Sequence, residues 1–234
     1  MVPCYNEAAS IGEVISKIPK EQLRALGFSV RILVVDNNST DETSTIALRN
    51  GADVIHEKKQ GKGYAVVTGF KHCAGSDIVV MLDGDGTYDA KEMLRLIEPI
   101  QNNFCDVVIG TRLAGKITQG SMKRFNRIGN WFFTFLVRNT YAENVTDVCT
   151  GYFAWNKEVV EQLSKYCESD GFNIEMEMIA KTAKMNYSIY SVPITYTDRA
   201  GKSSLHPVRD GVKIFHAWAR NLTWKPQKGN VAMM

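Results

Sequence analysis

The chain has 234 residues, of which 44% are hydrophobic and 23% charged, enough for one large α/β domain with a sizeable core and ordinary for a globular protein. A net charge of +3 is too small to imply a nucleic-acid partner, but it leaves room for local basic patches that face an anionic ligand or a membrane. Cys4, Cys73, Cys105, Cys149 and Cys167 are scattered and odd in number, which points to free thiols in a reducing cytoplasm rather than a disulfide framework.

The chain opens Met1-Val2-Pro3-Cys4-Tyr5-Asn6-Glu7, with too few residues before a helical pattern at Glu7–Ile18 for a full first strand. That strand is expected to be truncated. A strand follows at Val30–Asp36, then helices at Asp41–Asn50 and Lys62–Cys73, a strand at Asp77–Asp83, a helix at Ala90–Asn102 and a strand at Asp106–Gly110. These strands are short, β-branched and almost continuously apolar, as strands buried on both faces should be. Their alternation with helices predicts a mostly parallel sheet covered by helices. Right-handed crossovers would bring the strands' carboxyl ends to one edge, where open α/β sheets bind ligands.

Beyond about residue 115 the pattern is less regular. Helices are expected at Lys123–Thr140, Asn156–Lys165, Asn173–Lys184 and Pro207–Trp224, with a strand at Tyr187–Thr197. With no linker or internal repeat, residues 1–234 read as a single domain. No signal-peptide pattern opens the chain. No run of about 18 apolar residues could span a bilayer, the nearest being Trp131–Val137. If a membrane is involved, this chain lies on it.

Three polar loops fall at the carboxyl ends of strands: Pro3–Glu7, Asp36–Asp41 and Asp83–Gly86. Turn formation and helix capping explain any one of them, with Thr40, Asp41 and Asp89 as ready caps. Three at one edge suggest a ligand site. Asp83 and Asp85, either side of Gly84, form either a solvated acidic turn or a pair of hard oxygen donors for Mg²⁺ or Mn²⁺. A divalent ion would also answer their mutual repulsion. Lys62 opens a helix where its charge opposes the dipole, so a nearby anion is expected. Arg112 should stand at the same edge, gripping a phosphate or pairing an aspartate.

Taken in order, VPCYNEAASIGEVI, VVDNNSTDET, GKGYAVVTGF, VVMLDGDGTYD, VIGTRL, VTDVCTGYFAWNKE, GFNIEMEM and VPITYTDRAGKSSL resemble family 2 glycosyltransferases. More narrowly they resemble the dolichyl-phosphate mannose and glucose synthase group. The resemblance runs from residue 2 to about residue 215. It implies a GT-A fold, a nucleotide-sugar donor, a divalent metal, an inverting transfer and a polyprenyl-phosphate acceptor. By the same resemblance, Pro3, Tyr5, Glu7 and Asp36 surround the nucleotide base and ribose, while Asp83 and Asp85 hold the metal on the donor diphosphate. Gly84 and Lys62 join the donor site, Arg112 lies near the donor phosphates, and Arg199 and Lys202 belong to a basic loop that closes over donor and acceptor. Asp147 falls in a segment that reaches the reaction centre. Residues up to about 115 would be the nucleotide-sugar half and the remainder the acceptor and membrane-facing half.

Two positions depart from the pattern. Thr87 stands where the mannose synthases carry Gln, and Ser203-Ser204-Leu205 follows Lys202 where they often read Ser-Lys-Leu. A hydroxyl acceptor would need a general base, for which Asp147 is the candidate; a lipid phosphate, already anionic, needs positioning instead. The catalytic set implied is thus Asp85, Asp147 and Arg112. The motif DGDGTYD leans the donor toward a UDP-sugar over GDP-mannose.

Two segments combine bases with aromatics. Met122–Asn139 carries Lys123, Arg124, Arg127 and Arg138; Val208–Lys225 carries Arg209, Lys213, Arg220, Trp218 and Trp224. Such helices suit the headgroup layer of a membrane, although a core or dimer helix has the same composition. The leading expectation is a polyprenyl-phosphate glycosyltransferase peripheral to the cytoplasmic face of a membrane. A polysaccharide or protein acceptor, or an inactive GT-A binding domain, are the alternatives. The intact Asp83–Asp85 pair counts against the last.

Overall fold

The computed structural model describes residues 1–118, 121–141, 144–199 and 205–227. A parallel sheet is built from β1 (Val2–Cys4), β2 (Leu33–Asp36) and β3 (Asp53–His56). A second sheet contains β4 (Ile78–Met81), β5 (Val107–Ile117), β6 (Phe153–Asn156) and β7 (Ile189–Tyr196) in the order β4-β6-β5-β7. The two meet edge to edge, because the Met1 amino group donates to the Val80 carbonyl at 2.8 Å and the Leu82 N–H to the Met1 carbonyl at 3.3 Å.

The first strand is short yet present: Val2, Pro3 and Cys4 pair with Val34, Val35 and Asp36. β5 and β7 are parallel, whereas β6 runs antiparallel to both of its neighbours. Two strands escape the sequence pattern. β3 is a partly exposed edge strand, and β6 is four residues that end directly on Asn156, whose side chain caps the next helix by accepting from the Val159 N–H.

Helices α1 (Ile11–Lys17), α2 (Lys20–Ala25), α3 (Thr43–Arg49), α4 (Lys62–His72) and α5 (Met93–Gln101) connect the first strands. Asp89 caps the 3₁₀ turn before α5 through the Lys91 N–H. In the second half α6 (Arg124–Tyr141), α7 (Lys157–Tyr166), α8 (Ile174–Lys184) and α9 (Pro207–Thr223) pack on one another. Alternate strand residues enter two cores. Leu33, Val35, Met81 and Trp155 face the α4, α7 and α8 side, while Val34, Leu82, Val108 and Ala154 face the α1 and α5 side. Burial on both faces is why the strands read as unbroken apolar runs. The reversal of β6 has a functional consequence: its first residue, Phe153, pairs with Met81 at the end of β4 and with Ile109 of β5, bringing the segment 147–151 to that edge.

Candidate active site

The loops after β1 and β2 are laced together before they can serve any ligand. The Asn6 N–H donates to Ser39 Oγ at 3.0 Å, the Glu7 N–H to Thr43 Oγ1 at 2.9 Å and the Ala8 N–H to Asp41 Oδ2 at 3.2 Å, while Asn6 Oδ1 accepts from the Thr40 N–H at 2.8 Å. Asn6 and Asn38 turn these loops at φ 55° and 63°, in the left-handed region that asparagine tolerates better than most residues. Asp36 is buried among the Ser39 N–H, the Ser44 hydroxyl and His56. Burial opposes its ionisation, but the serine hydrogen bonds outweigh that and hold its carboxyl below the usual range. The neighbouring Asn37 lines the cavity, whereas Asp36 does not.

After β4 the chain passes so close to β1 that a Cβ at Gly84 would meet Cys4 Sγ at 2.5 Å. Ser10 Oγ donates to the Gly84 carbonyl at 2.7 Å, and Gly86 turns the chain at φ 77°. Thr87 then donates to Asp85 Oδ1 twice, from its N–H at 3.0 Å and its hydroxyl at 2.6 Å. Thr87 therefore orients Asp85 and leaves Oδ2 to face the cleft. Asp83 is backed by Gly151, where a Cβ would fall 2.1 Å from Asp83 Oδ2.

The repulsion within this cluster, for which the sequence suggested a divalent ion, is answered in part by the chain's own cations. Lys62 Nζ lies 2.7 Å from Asp83 Oδ1 and 2.7 Å from Glu175 Oε1. Arg199 reaches Asp85 Oδ2 at 3.3 Å and pairs with Glu7. Burial by itself would lower Lys62, but the two carboxylates hold its pKa above the ordinary range. Burial raises Asp83 and Glu175 despite Lys62. It also lifts Glu7 to about 7 against the pull of Arg199.

Arg112 takes the aspartate rather than the open phosphate position. Its Nε and Nη2 donate to Asp147 at 2.8 and 2.9 Å, its backbone N–H donates to the same carboxylate at 2.9 Å, and Asn130 Nδ2 adds a bond of 2.7 Å. Asp147 is fully buried, so this geometry gives it no open face toward a reacting hydroxyl. The guanidinium of Arg112 lies 5.2 Å from the Tyr196 ring centroid, with its edge in the cavity.

Two cavities result. One is lined by Pro3, Tyr5, Glu7, Asn37, Gly61 and Gly84, the other by Tyr88, Arg112, Asn130, Tyr196 and residues of α6 and α9; Lys62, Asp83, Asp85, Phe172 and Arg199 line both. Lys202 lies outside the described residues. Asn37, Asn130, Phe172 and Glu175 were not singled out from the sequence. Of these, Asn37 lay within the polar loop Asp36–Asp41, and Glu175 carried a signal as a carboxylate in the first turn of a helix that begins at the same edge.

Among the described residues no group of three or more His, Cys, Asp or Glu forms a metal cage. The donor chemistry nevertheless fits a divalent ion. Among the described residues Glu7, Asp83, Asp85 and Glu175 are paired with Lys62 and Arg199, so carboxylates outnumber the cations paired with them. Arg199 Nε, buried with no hydrogen-bond partner among the described residues, offers a donor to a phosphate beside such an ion. Mg²⁺ and Mn²⁺ bind such sites through one or two carboxylates and complete their shells with water and phosphate.

The second cavity opens between α6 and α9. On α6, Phe125, Ile128, Trp131, Phe132 and Phe135 are exposed, beside Lys123, Arg124, Arg127 and Arg138. On α9 the expectation needs correcting. Trp218 and Trp224 pack against the core, Lys213 pairs with Asp170, and Arg220 pairs with Glu177, so these four are engaged with the protein. Val208, Val212, Phe215 and Leu222 supply the exposed apolar surface of α9. Among the described residues no helix is long and apolar enough to cross a membrane.

A family model described as glycosyl transferase family 2 matches residues 1–164. Glycosyltransferase AglJ of Haloferax volcanii is 37% identical over 217 residues, which cover 92% of this chain and 68% of that protein. A dolichyl-phosphate hexose transferase of the same organism is 33% identical over 212 residues, covering 90% of this chain and 87% of that protein. Glucosyl-3-phosphoglycerate synthase of Mycobacterium tuberculosis, crystallised with Mn²⁺, uridine diphosphate and glucosyl-3-phosphoglycerate, superposes with a TM-score of 0.72 at 21% identity, over 97% of this chain and 80% of that one. That likeness is one of fold, and the fold is GT-A.

Proposed function

The chain belongs to glycosyl transferase family 2, and from that premise we propose that it moves a sugar from a nucleotide-sugar onto a polyprenyl phosphate. The transfer inverts the anomeric carbon, favours a UDP-sugar over GDP-mannose, and takes place at the cytoplasmic face of a membrane. The observation that carries this reading is the meeting of two cavities at Asp83 and Asp85. One lies among the loops that follow β1, β2 and β4; the other opens between two helices with exposed apolar and basic surface. The dolichyl-phosphate hexose transferase among the relatives supports a lipid-phosphate acceptor. The uridine diphosphate and Mn²⁺ in the mycobacterial synthase support the donor and the metal.

In this reading the donor lies along Pro3, Tyr5, Glu7, Asn37 and Gly84 with its diphosphate toward Asp83 and Asp85. An acceptor phosphate oxygen attacks the sugar carbon from the side of Arg112, and the bond to the nucleoside diphosphate breaks on the opposite side. An Mg²⁺ or Mn²⁺ ion on Asp83 and Asp85 would supply charge against the departing diphosphate. Lys62 and Arg199 add positive charge where the leaving group gathers negative charge. The acceptor is anionic already and needs no general base. Asp147, sealed under Arg112 and Asn130, therefore acts as a positioning residue that aims the guanidinium. The exposed aromatic face of α6 rests in the headgroup layer, with Lys123, Arg124 and Arg127 toward lipid phosphates.

The test is a panel of nucleotide-sugars offered with a short-chain polyprenyl phosphate, free polyprenol, a soluble glycan and water. Transfer from a UDP-sugar to the phosphate alone is the expected result. Glycosylation of a soluble glycan only would overturn the lipid acceptor, and faster turnover with GDP-mannose would overturn the donor.

A further inference from the structure

Lys62 is flanked by two glycines, each required by a neighbour outside the helix. A Cβ at Gly61 would lie 2.1 Å from the Asp170 carbonyl oxygen, and one at Gly63 would lie 1.8 Å from that of Ser169. The Gly63 N–H donates to the Asp170 carbonyl at 3.1 Å. The start of α4 is thus pressed against the segment that leads into α8, and this contact delivers Glu175, from the first turn of α8, to Lys62. The lysine sits 2.7 Å from carboxylates on two separate elements, and the side chain of Glu175 is only 5% exposed. A cation at a helix start works against the dipole, so these carboxylates, not helical preference, fix Lys62 in place.

We propose that Glu175 is a positioning residue: it seats Lys62 so that the ammonium stands in for a divalent ion on Asp83 and gives way when that ion arrives. The inference rests on the reading of Asp83 and Asp85 as divalent-ion ligands. An ammonium shared by two carboxylates is held less tightly by either than by one alone. With Glu175 present, Lys62 keeps a buried partner after leaving Asp83, and no stranded charge opposes the exchange. Without the charge of Glu175, Asp83 becomes the sole partner, and the incoming ion must break a complete buried pair.

The experiment is titration of the full chain with Mn²⁺ in the absence of nucleotide, with free Mn²⁺ counted by electron paramagnetic resonance and folding followed by circular dichroism. Glu175→Gln should weaken Mn²⁺ binding by roughly tenfold, within the range measured for coupled neighbours in one charge network. Lys62→Met should tighten it, and in the Lys62→Met background Glu175→Gln should lose most of its effect. Glu175→Asp, one methylene too short to hold Lys62, should weaken binding as well and serves if the glutamine variant does not fold. Affinity of the Glu175 variants within about twofold of the unaltered chain, or an equal weakening in both backgrounds, would overturn the role of Glu175. If the unaltered chain takes up Mn²⁺ only with uridine diphosphate present, the same comparisons are made in its presence; uptake in neither condition overturns the metal reading itself, a separately visible outcome.

Discussion

A single methyl group at position 151 should disable this site without unfolding the protein. In Gly151→Ala the new Cβ would stand 2.1 Å from Asp83 Oδ2, 2.5 Å from Cγ and 2.7 Å from Oδ1. Carbon–oxygen contacts settle at about 3.3 Å or more, so the carboxylate must retreat by about 1 Å. Lys62, 2.7 Å away on Oδ1, would be drawn with it or released. Gly151 is not among the glycines with positive φ, so alanine suits its backbone and the strain falls on Asp83. That carboxylate is 23% exposed and can yield toward the cleft, which places the stability cost near the ~1 kcal/mol end of the overpacking range. For a chain of this size the melting temperature would fall by about 2–4 °C. A reacting group misplaced by ~1 Å costs about 10²-fold in turnover. The assay is kcat with the best donor of the nucleotide-sugar panel, beside a thermal melt. Turnover within about threefold of the unaltered enzyme, with the melting temperature lowered as expected, would refute the claim that Asp83 must be held where Gly151 allows it.

Glu7 should make stability depend on pH in an unusual direction. Burial lifts its pKa from 4.5 to about 7, so between those values the folded protein holds a proton that the unfolded chain has released. Its contribution to stability therefore falls as pH rises through that window. In urea unfolding without metal, Glu7→Gln should exceed the unaltered protein by up to ~3 kcal/mol at pH 8 and match it near pH 4. Equal stability at both would refute the shift. On α6, Trp131 and Phe135 are 63% and 51% exposed and stack with ring centroids 6.0 Å apart. Replacing both with glutamate should weaken binding to anionic liposomes at least tenfold, given ~1.5–3 kcal/mol for each buried aromatic, without lowering the melting temperature. Unchanged sedimentation with liposomes would move the membrane contact elsewhere. α6 is the cleaner target than α9, because α9 buries Ile214 and Ala217 and pairs Arg220 with Glu177.

Much of this protein was legible in the order of its residues. Apolar β-branched runs that end on Asp36 and Asp83 announce strands buried on both faces, and their alternation with helical periods announces a mostly parallel sheet with a ligand edge. Local chemistry was equally readable: Asp89 caps a turn, and Lys62 at a helix start required an anion. What stayed hidden depends on contacts far apart in sequence. β6 is too short and too close to its capping Asn156 to show a period, yet its reversal sets Gly151 against Asp83 and Asp147 beneath Arg112. The pairing of Lys62 with Glu175, 113 positions along the chain, exists because two glycines let a distant loop approach. No local pattern distinguishes Trp131, turned outward, from Trp218, turned inward, since both lie on basic aromatic helices. Composition determined that the carboxylates of DGDG needed positive charge. Only the folded chain, by bringing Lys62 and Arg199 to them, decided which charges came first.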